Sequence, residues 1–306
     1  MTTVDMTLKE SMDLAGKMAL GRRTKTNTTR MFFTYFALVV WLIITLFPIY
    51  WLITTSFKLP EAVVQGARYV PWVDFHPSVA AWKYLFVDYW TETKQHFLNT
   101  LLFGLVSAFF AMVLGSMGAY GLTRFNYGWR GYKNKDFSFL IISQRMGPAV
   151  AFVMPILIMF KFLHLIDSPV GMIIAYTAFN LPFVVWIMKD FFQGIPKEME
   201  EAGFVDGYSR IEVFMKVILP LAAPGLVATF LFCLIFVWNE YLYALILTFQ
   251  KATTMPILIA GQDTTRGPQW WYISALSLFT ITPVVIIGLF VEKYLVKGLV
   301  KGAVRG

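Results

Sequence analysis

The chain has 306 residues, of which 58% are hydrophobic and 14% charged, and its net charge is +8. Soluble domains carry about 25% charged residues, so lipid has to solvate most of this surface. A soluble globular domain is excluded, and so is a nucleic-acid binder, because no Arg/Lys cluster with interleaved aromatics lies away from the flanks of the apolar runs.

A leader at 1–30 precedes the first apolar run, Met31–Thr55, which is too long for a signal-peptide core and has no small-residue cleavage pattern behind it. It is expected to be a retained span. Further runs follow at Phe97–Leu122, Phe137–Phe160, Pro169–Met188, Pro220–Phe249 and Trp271–Val291. Each is long enough to cross about 30 Å of hydrocarbon. The expectation is an all-α polytopic membrane protein with about six transmembrane helices. The transmembrane domain covers 31–295 and a short tail covers 296–306.

Lys and Arg positions set the orientation. The denser set is Lys9, Lys17, Arg22, Arg23, Lys25 and Arg30 in the leader, and Arg124, Arg130, Lys133 and Lys135 after the second run. It continues with Lys189, Lys197, Arg210 and Lys216 after the fourth run, and Lys293, Lys297, Lys301 and Arg305 in the tail. The loops at 57–96 and 250–270 are sparser. Both termini and the loop at 190–219 are therefore expected in the cytoplasm, with 57–96 and 250–270 outside.

In the second run, Gly104, Ala108, Ala111, Gly115 and Ala119 form a stripe of small residues, widened by Gly118 and Gly121. Such a stripe lets another helix approach closely; packing within the same subunit is favoured over a role at a subunit interface. Pro48, Pro148, Pro155, Pro182, Pro224 and Pro283 lie inside the runs and permit kinks. Gln144 and Arg145 sit in the third run, and Trp238, Asn239, Glu240 and Tyr241 in the fifth. Ionisable groups at such depth are costly and face a cavity or a partner. Two readings stand for Arg145 and Glu240: lining of a translocation path, or polar contacts that lock helices together. The aromatics have the same two readings, stacking on a solute or forming the interfacial belt.

The loop at 190–219 has its own punctuation. Pro196 suits a first helical position, and Glu198, Glu200 and Glu201 suit the early turns. Asp206-Gly207 is a turn signal, and Ser209 stands at capping-box spacing from Glu212. Ile211, Val213, Phe214, Val217 and Ile218 repeat at helical spacing. Two short helices joined by a turn make a rigid knob. The balance of acids and bases argues against a helix lying on an anionic leaflet.

With Glu201, Ala202, Gly203, Asp206, Gly207, Leu219 and Pro220, this loop resembles the EAA loop of ATP-binding cassette (ABC) importer permeases. Gly203 replaces the pattern's second alanine, a departure that loosens a helix by about 1 kcal/mol. Ser56-Phe57-Lys58, Phe75-His76-Pro77-Ser78, the stretch Ile142–Met146 with Pro148, Trp238–Tyr241 and the tail Lys297–Gly306 are similar to the carbohydrate-type members. The likeness is nearest to the second permease subunit of maltose-type importers. It implies a permease domain at 31–295 in a bacterial inner membrane and a homologous permease partner. It also implies two ATPase subunits that bind ATP and Mg and grip the loop, and an external solute-binding protein. The loop with Gly261, Asp263, Thr264, Thr265 and Arg266 is implied to touch that binding protein, and the substrate is implied to be a sugar or polyol.

No phosphate-binding Gly-x-x-x-x-Gly-Lys-Ser/Thr motif is present, His76, His96 and His164 have no metal-ligand spacing, and Cys233 is the lone cysteine. The expectation is a transport subunit with no cofactor, metal or catalytic residue of its own. The rivals are an ion-coupled secondary transporter, for which Glu240 is the one candidate acid, and an ABC permease for a non-carbohydrate solute.

Overall fold

The computed structural model describes residues 28–66, 68–128, 130–265 and 267–303, with side chains between Met31 and Leu289. The chain divides into two compact units, Met1–Leu52 and Ile53–Gly306. The first unit contains most of α1 (Thr28–Ser56), an apolar helix that passes through Pro48 without a break.

In the second unit the helices are α2 (Pro60–Val64), α3 (Ala80–Lys83, prolonged by a π turn over Tyr84–Asp88), α4 (Trp90–Arg124), α5 (Asn134–Ser143), α6 (Ala149–Phe162) and α7 (Pro169–Gln193). Then come α8 (Glu198–Val205), α9 (Arg210–Val213, prolonged by a π turn over Phe214–Ile218), α10 (Leu219–Leu221), α11 (Ala223–Trp238), α12 (Leu242–Leu247), α13 (Met255–Ala260) and α14 (Trp270–Ala303). A two-residue antiparallel pair, β1 (Asp263–Thr264) with β2 (Gly267–Pro268), interrupts an otherwise helical fold.

The bundle is built on α4, α7 and α11. Phe103, Ser107, Ala108, Ala111, Gly115 and Ala119 form one buried face of α4. A Cβ added at Gly115 would lie 2.6 Å from Val184 Cγ1 on α7, and one at Gly104 2.8 Å from Leu234 Cδ1 on α11. The small-residue stripe thus serves packing inside the subunit. Gly118 is exposed and Gly121 half-buried, so these two stand outside the buried face.

Two predicted spans are not single helices. The third is broken between α5 and α6, where Pro148 adopts extended backbone and stands just before α6. Proline drives the preceding residue out of helical geometry and brings no N–H for the ladder. The fifth ends at Trp238, and the segment Arg210–Leu221 meets α11 at an angle of 77°. Pro224 lies in the first turn of α11, where a missing N–H costs nothing, so it starts a helix rather than kinking one. Among the described residues, four helices are long and apolar enough to cross a membrane, or five with the bent pair as one span.

One end of the bundle is closed by hydrogen bonds across long sequence separations. Asp167, at φ 52°, accepts from the backbone N–H groups of Phe249, Gln250, Lys251 and Ala252 at 3.0–3.2 Å. Asn99 Nδ2 donates to the carbonyls of Lys251 and Thr253, both at 2.8 Å. Burial alone would raise the Asp167 carboxyl, but the four backbone donors outweigh it and hold it below the usual carboxylate range. With the folded value depressed, its stabilising effect is present above the ordinary aspartate range and is lost as pH falls through the depressed value. Asp167→Ala is expected to speed hydrogen exchange at the amides of 249–252 by roughly 10-fold at neutral pH. Unchanged exchange there would contradict the clamp.

Candidate functional site

The segment Glu198–Leu221 forms a knob at the other end of the bundle, and its sequence dictates its shape. α8 carries Glu198, Glu200 and Glu201 in its first turn. Gly207 follows at φ +84°, a conformation that favours glycine and turns the chain back. α9 then opens with a full capping box: Ser209 Oγ accepts from the Glu212 N–H, and Glu212 Oε2 accepts from the Ser209 N–H at 3.0 Å. The Lys216 ammonium, 2.9 Å from Glu212, and then the Ser209 contacts hold the Glu212 carboxyl down at about 2. Its charge, and so the cap, persists until pH falls from the ordinary glutamate range through that value.

α8 and the helix after it pack at close range. A Cβ at Gly203 would lie 3.0 Å from Val213 Cγ2 and 3.5 Å from Val217 Cγ2. This close approach explains the glycine where the EAA pattern has alanine. Val213 and Ile218 are fully buried, whereas Ile211, expected on the same face, is 76% exposed. The π turn rotates the later residues relative to a regular helix.

Two sets of contacts fix the knob to the spans: an apolar set, in which buried Val213 and Ile218 share one cluster with Met188 and Phe192, and a polar set at Glu200. Phe214 lies 4.6 Å from the Tyr120 ring and 6.2 Å from Phe192. Glu200, buried, takes an ion pair from Arg124 Nε and a 3.0 Å hydrogen bond from the Tyr120 hydroxyl. Arg124 Nη2 also donates to the Ile195 carbonyl at 2.9 Å. Sequence reasoning passed over Glu200 and Arg124 as a helix-dipole acid and a topology charge.

The knob's outward surface holds Glu201, Ala202, Asp206, Gly207 and Pro220, all exposed, with Leu219 half-buried and Gly203 buried. Among them stand large apolar side chains: Val205 is 87% exposed, Ile211 76% and Met215 57%. Capped polar helices that display such residues present a surface suited to being covered by a partner.

The residues considered for a translocation path do not form one group. Gln144 and Arg145 line a cavity of about 250 Å³ with Phe152, Phe179 and Tyr243. The Arg145 guanidinium lies over Phe179, Phe183 and Phe236 at 4.5, 5.2 and 4.6 Å. Glu240 is not among the cavity's lining residues, although its partner Tyr243 is. Glu240 accepts from the Tyr176 hydroxyl at 3.0 Å and from the N–H groups of Tyr243 and Ala244, so it caps α12. Trp238 is buried, its Nε1 donating to the Thr280 carbonyl at 2.9 Å. Asn239 and Tyr241 are exposed.

At the end closed by Asp167, Gly261, Asp263 and Thr265 are exposed, and Thr264 Oγ1 donates to the Gly267 carbonyl. Arg266 and the side chains of the tail lie outside the described residues.

Residues 111–301, which contain the knob, its anchors and the cavity, match the family model for "Binding-protein-dependent transport system inner membrane component". The chain belongs to this family. The permease is 30% identical over 94% of its length to the whole of the probable ABC transporter permease protein y4oR of Sinorhizobium fredii. It is 33% identical, again over 94%, to the whole of the inner membrane ABC transporter permease protein YcjP of Escherichia coli. The trehalose transport system permease protein SugB of Mycobacterium tuberculosis is 32% identical, covering 89% of this chain and 98% of its own. Among solved structures, the fold matches a bacterial ABC transporter involved in the import of the acidic polysaccharide alginate. The TM-score is 0.67 and the identity 24%, over 88% of this chain and 98% of that one. As a member of this family the permease is a multi-pass membrane transport subunit and not an enzyme.

Proposed function

We propose that this permease forms half of the membrane pathway of an ATP-driven importer for a sugar or polyol. It pairs with a homologous permease, and the knob, with Glu201, Ala202, Gly203, Asp206, Gly207, Leu219 and Pro220, docks onto one of two ATPase subunits that hold ATP and Mg. An external binding protein delivers the solute to the side bearing Gly261, Asp263, Thr264, Thr265 and Arg266. Both termini and the knob lie in the cytoplasm in this reading, which the Lys/Arg distribution supports. The observation that carries this reading is the exposed apolar surface of a capped, doubly anchored knob. The trehalose relative supports the solute class, and a solved relative of the same fold in complex with a sugar-loaded periplasmic protein supports the kind of partner.

ATP binding closes the ATPases, the knob moves with them, and the spans exchange between outward-open and inward-open states. The test uses the full assembly in proteoliposomes, with ATP on the ATPase side and radiolabelled trehalose, mannitol or methionine on the other. ATP-dependent accumulation of the sugar or polyol is expected. Accumulation of methionine alone would contradict the solute class.

A second reading, an acidic sugar, is favoured by the cavity itself. Among the described residues, Arg145 is held by aromatic rings and by the Phe179 carbonyl at 3.5 Å, with no carboxylate partner. A carboxylated sugar entering there would find an unspent positive charge. Uptake of glucuronate in preference to trehalose, lost in Arg145→Gln, is the expected result under this reading.

A further inference from the structure

We infer that Arg124, Glu200 and Tyr120 are positioning residues that join the knob to α4 as one rigid body, so that movement of the ATPase becomes movement of a span. This rests on the docking proposed above and specifies how the docked knob acts.

The geometry divides the labour between two attachments. The second half of the knob reaches the bundle through buried Val213 and Ile218, which share a cluster with Met188 and Phe192, through Phe214, which leans on the rings of Tyr120 and Phe192, and through Arg210, which lies 5.4 Å over the Phe125 ring. The first half, α8, touches the second half through Gly203. Its own link to the spans is Glu200, whose two carboxylate oxygens are taken by Tyr120 and Arg124. These two donors stand four residues apart on the last turn of α4, and so point the same way. Tyr120 serves both attachments, its ring receiving Phe214 and its hydroxyl binding Glu200. Arg124 adds a third point by holding the Ile195 carbonyl in the chain between α7 and α8.

Charge makes this link stiff. The side chains of Arg124 and Glu200 are 8% and 9% exposed. Pulling them apart leaves two poorly hydrated charges without partners, so displacement of α8 carries the end of α4 with it. The neighbouring cleft is lined by Lys197, Glu201 and Arg210 as well. Those three are exposed, so water screens their charges, and the contact of Arg210 with the Phe125 ring braces the second half of the knob, not α8, so none of them replaces the buried pair. Without the buried link, α8 remains attached only through the second half of the knob, by the Gly203 contact, and can pivot there. The α4 helix packs along α7 and α11 through its small-residue face, so its displacement is passed to both.

The experiment uses the complete assembly, permease pair, ATPases and loaded binding protein, in proteoliposomes, with the wild type and Arg124→Gln, Glu200→Gln and Tyr120→Phe. Three quantities are read: ATPase retained on the permeases, ATP hydrolysed, and labelled solute taken up per ATP, using whichever of trehalose, mannitol, glucuronate or methionine the wild type imports. In the two charge variants, ATPase retention and hydrolysis are expected within about twofold of wild type, while uptake per ATP falls by about 10-fold. A defect of folding alone would lower hydrolysis and uptake together and leave their ratio unchanged. An unchanged ratio in both charge variants overturns the inference. If neither charge variant assembles, Tyr120→Phe, which keeps the ion pair, decides: a ratio lowered by about threefold supports the link, and a wild-type ratio overturns it. Failure of the wild-type permease to retain the ATPase would instead contradict the docking reading, a result distinguishable from any of these.

Discussion

Gly207→Trp is expected to abolish ATP-driven uptake while the permease still inserts into the membrane and keeps its fold. The residue is at φ +84°, and a Cβ built there meets no atom of this chain within 4 Å. The intrinsic cost of an L side chain in the left-handed region is about 1–2 kcal/mol, which the bundle can absorb. The indole therefore projects into the space that a docked ATPase has to fill. Central interface positions carry about 2–4 kcal/mol each, so ATPase retention should fall roughly 100-fold. Gly207→Asn separates the two effects, because asparagine tolerates the left-handed region and is small. Its loss of uptake should be intermediate. Uptake, co-purified ATPase and the amount of permease in the membrane are the quantities to compare. Normal uptake in Gly207→Trp, at normal permease levels, would exclude the turn from the docking surface.

Gly115→Leu should have an effect of similar size by a different route, the loss of folded permease. The Cβ alone would stand 2.6 Å from Val184 Cγ1 and 2.7 Å from Val184 Cβ, and Val184 is fully buried. Neither atom is the far end of a flexible chain, so α4 and α7 have to move apart. Overpacking costs about 1–3 kcal/mol per site, and the larger side chain places Leu at the upper end. The displacement would also disturb contacts at Ala111 and Ala119 on the same face. Gly118→Ala is the matching control. Gly118 is exposed and its Cβ would approach Val185 to 3.7 Å, an ordinary contact, so its cost should stay within about 0.5 kcal/mol. Thermal unfolding of the purified permease reads both. Equal effects at the two glycines would mean that the stripe serves something other than packing inside the subunit.

Local signals in the sequence translated directly into structure where neighbouring residues decide the outcome. The Ser209–Glu212 capping box, the turn at Asp206-Gly207 and the small face of α4 are each set within a few residues, and each is present. The departure at Gly203 also had a local trace, but its reason is contact with Val213 and Val217. Breaks in the apolar runs were harder to read. Membrane helices tolerate proline, and Pro155 and Pro182 do lie inside helices, whereas Pro148 ends a turn between two. Composition does not distinguish these cases.

Long-range polar pairing was not legible. Arg124 and Glu200 are 76 residues apart, and Asp167 binds amides 82 to 85 residues away. Nothing within a short window joins such residues. Arg145 and Glu240 illustrate the same point. Both are costly in lipid, and the two satisfy that cost separately, one among aromatic rings and the other on helix N–H groups. Trp238 read as a candidate for stacking on a solute, yet its burial depends on the Thr280 carbonyl of α14.

The central claim, that the knob is gripped by an ATPase, is tested most directly by crosslinking from Val205→Cys. Position 205 is 87% exposed at the knob's surface, and the lone native thiol, Cys233, is buried in the core, so the new thiol is the reactive one. With a short bifunctional reagent and the assembled transporter, the expected result is a crosslink to an ATPase subunit whose yield changes when ATP is bound. A thiol at 205 that stays freely modifiable in the assembled transporter, with no ATPase crosslink in any nucleotide state, would contradict it.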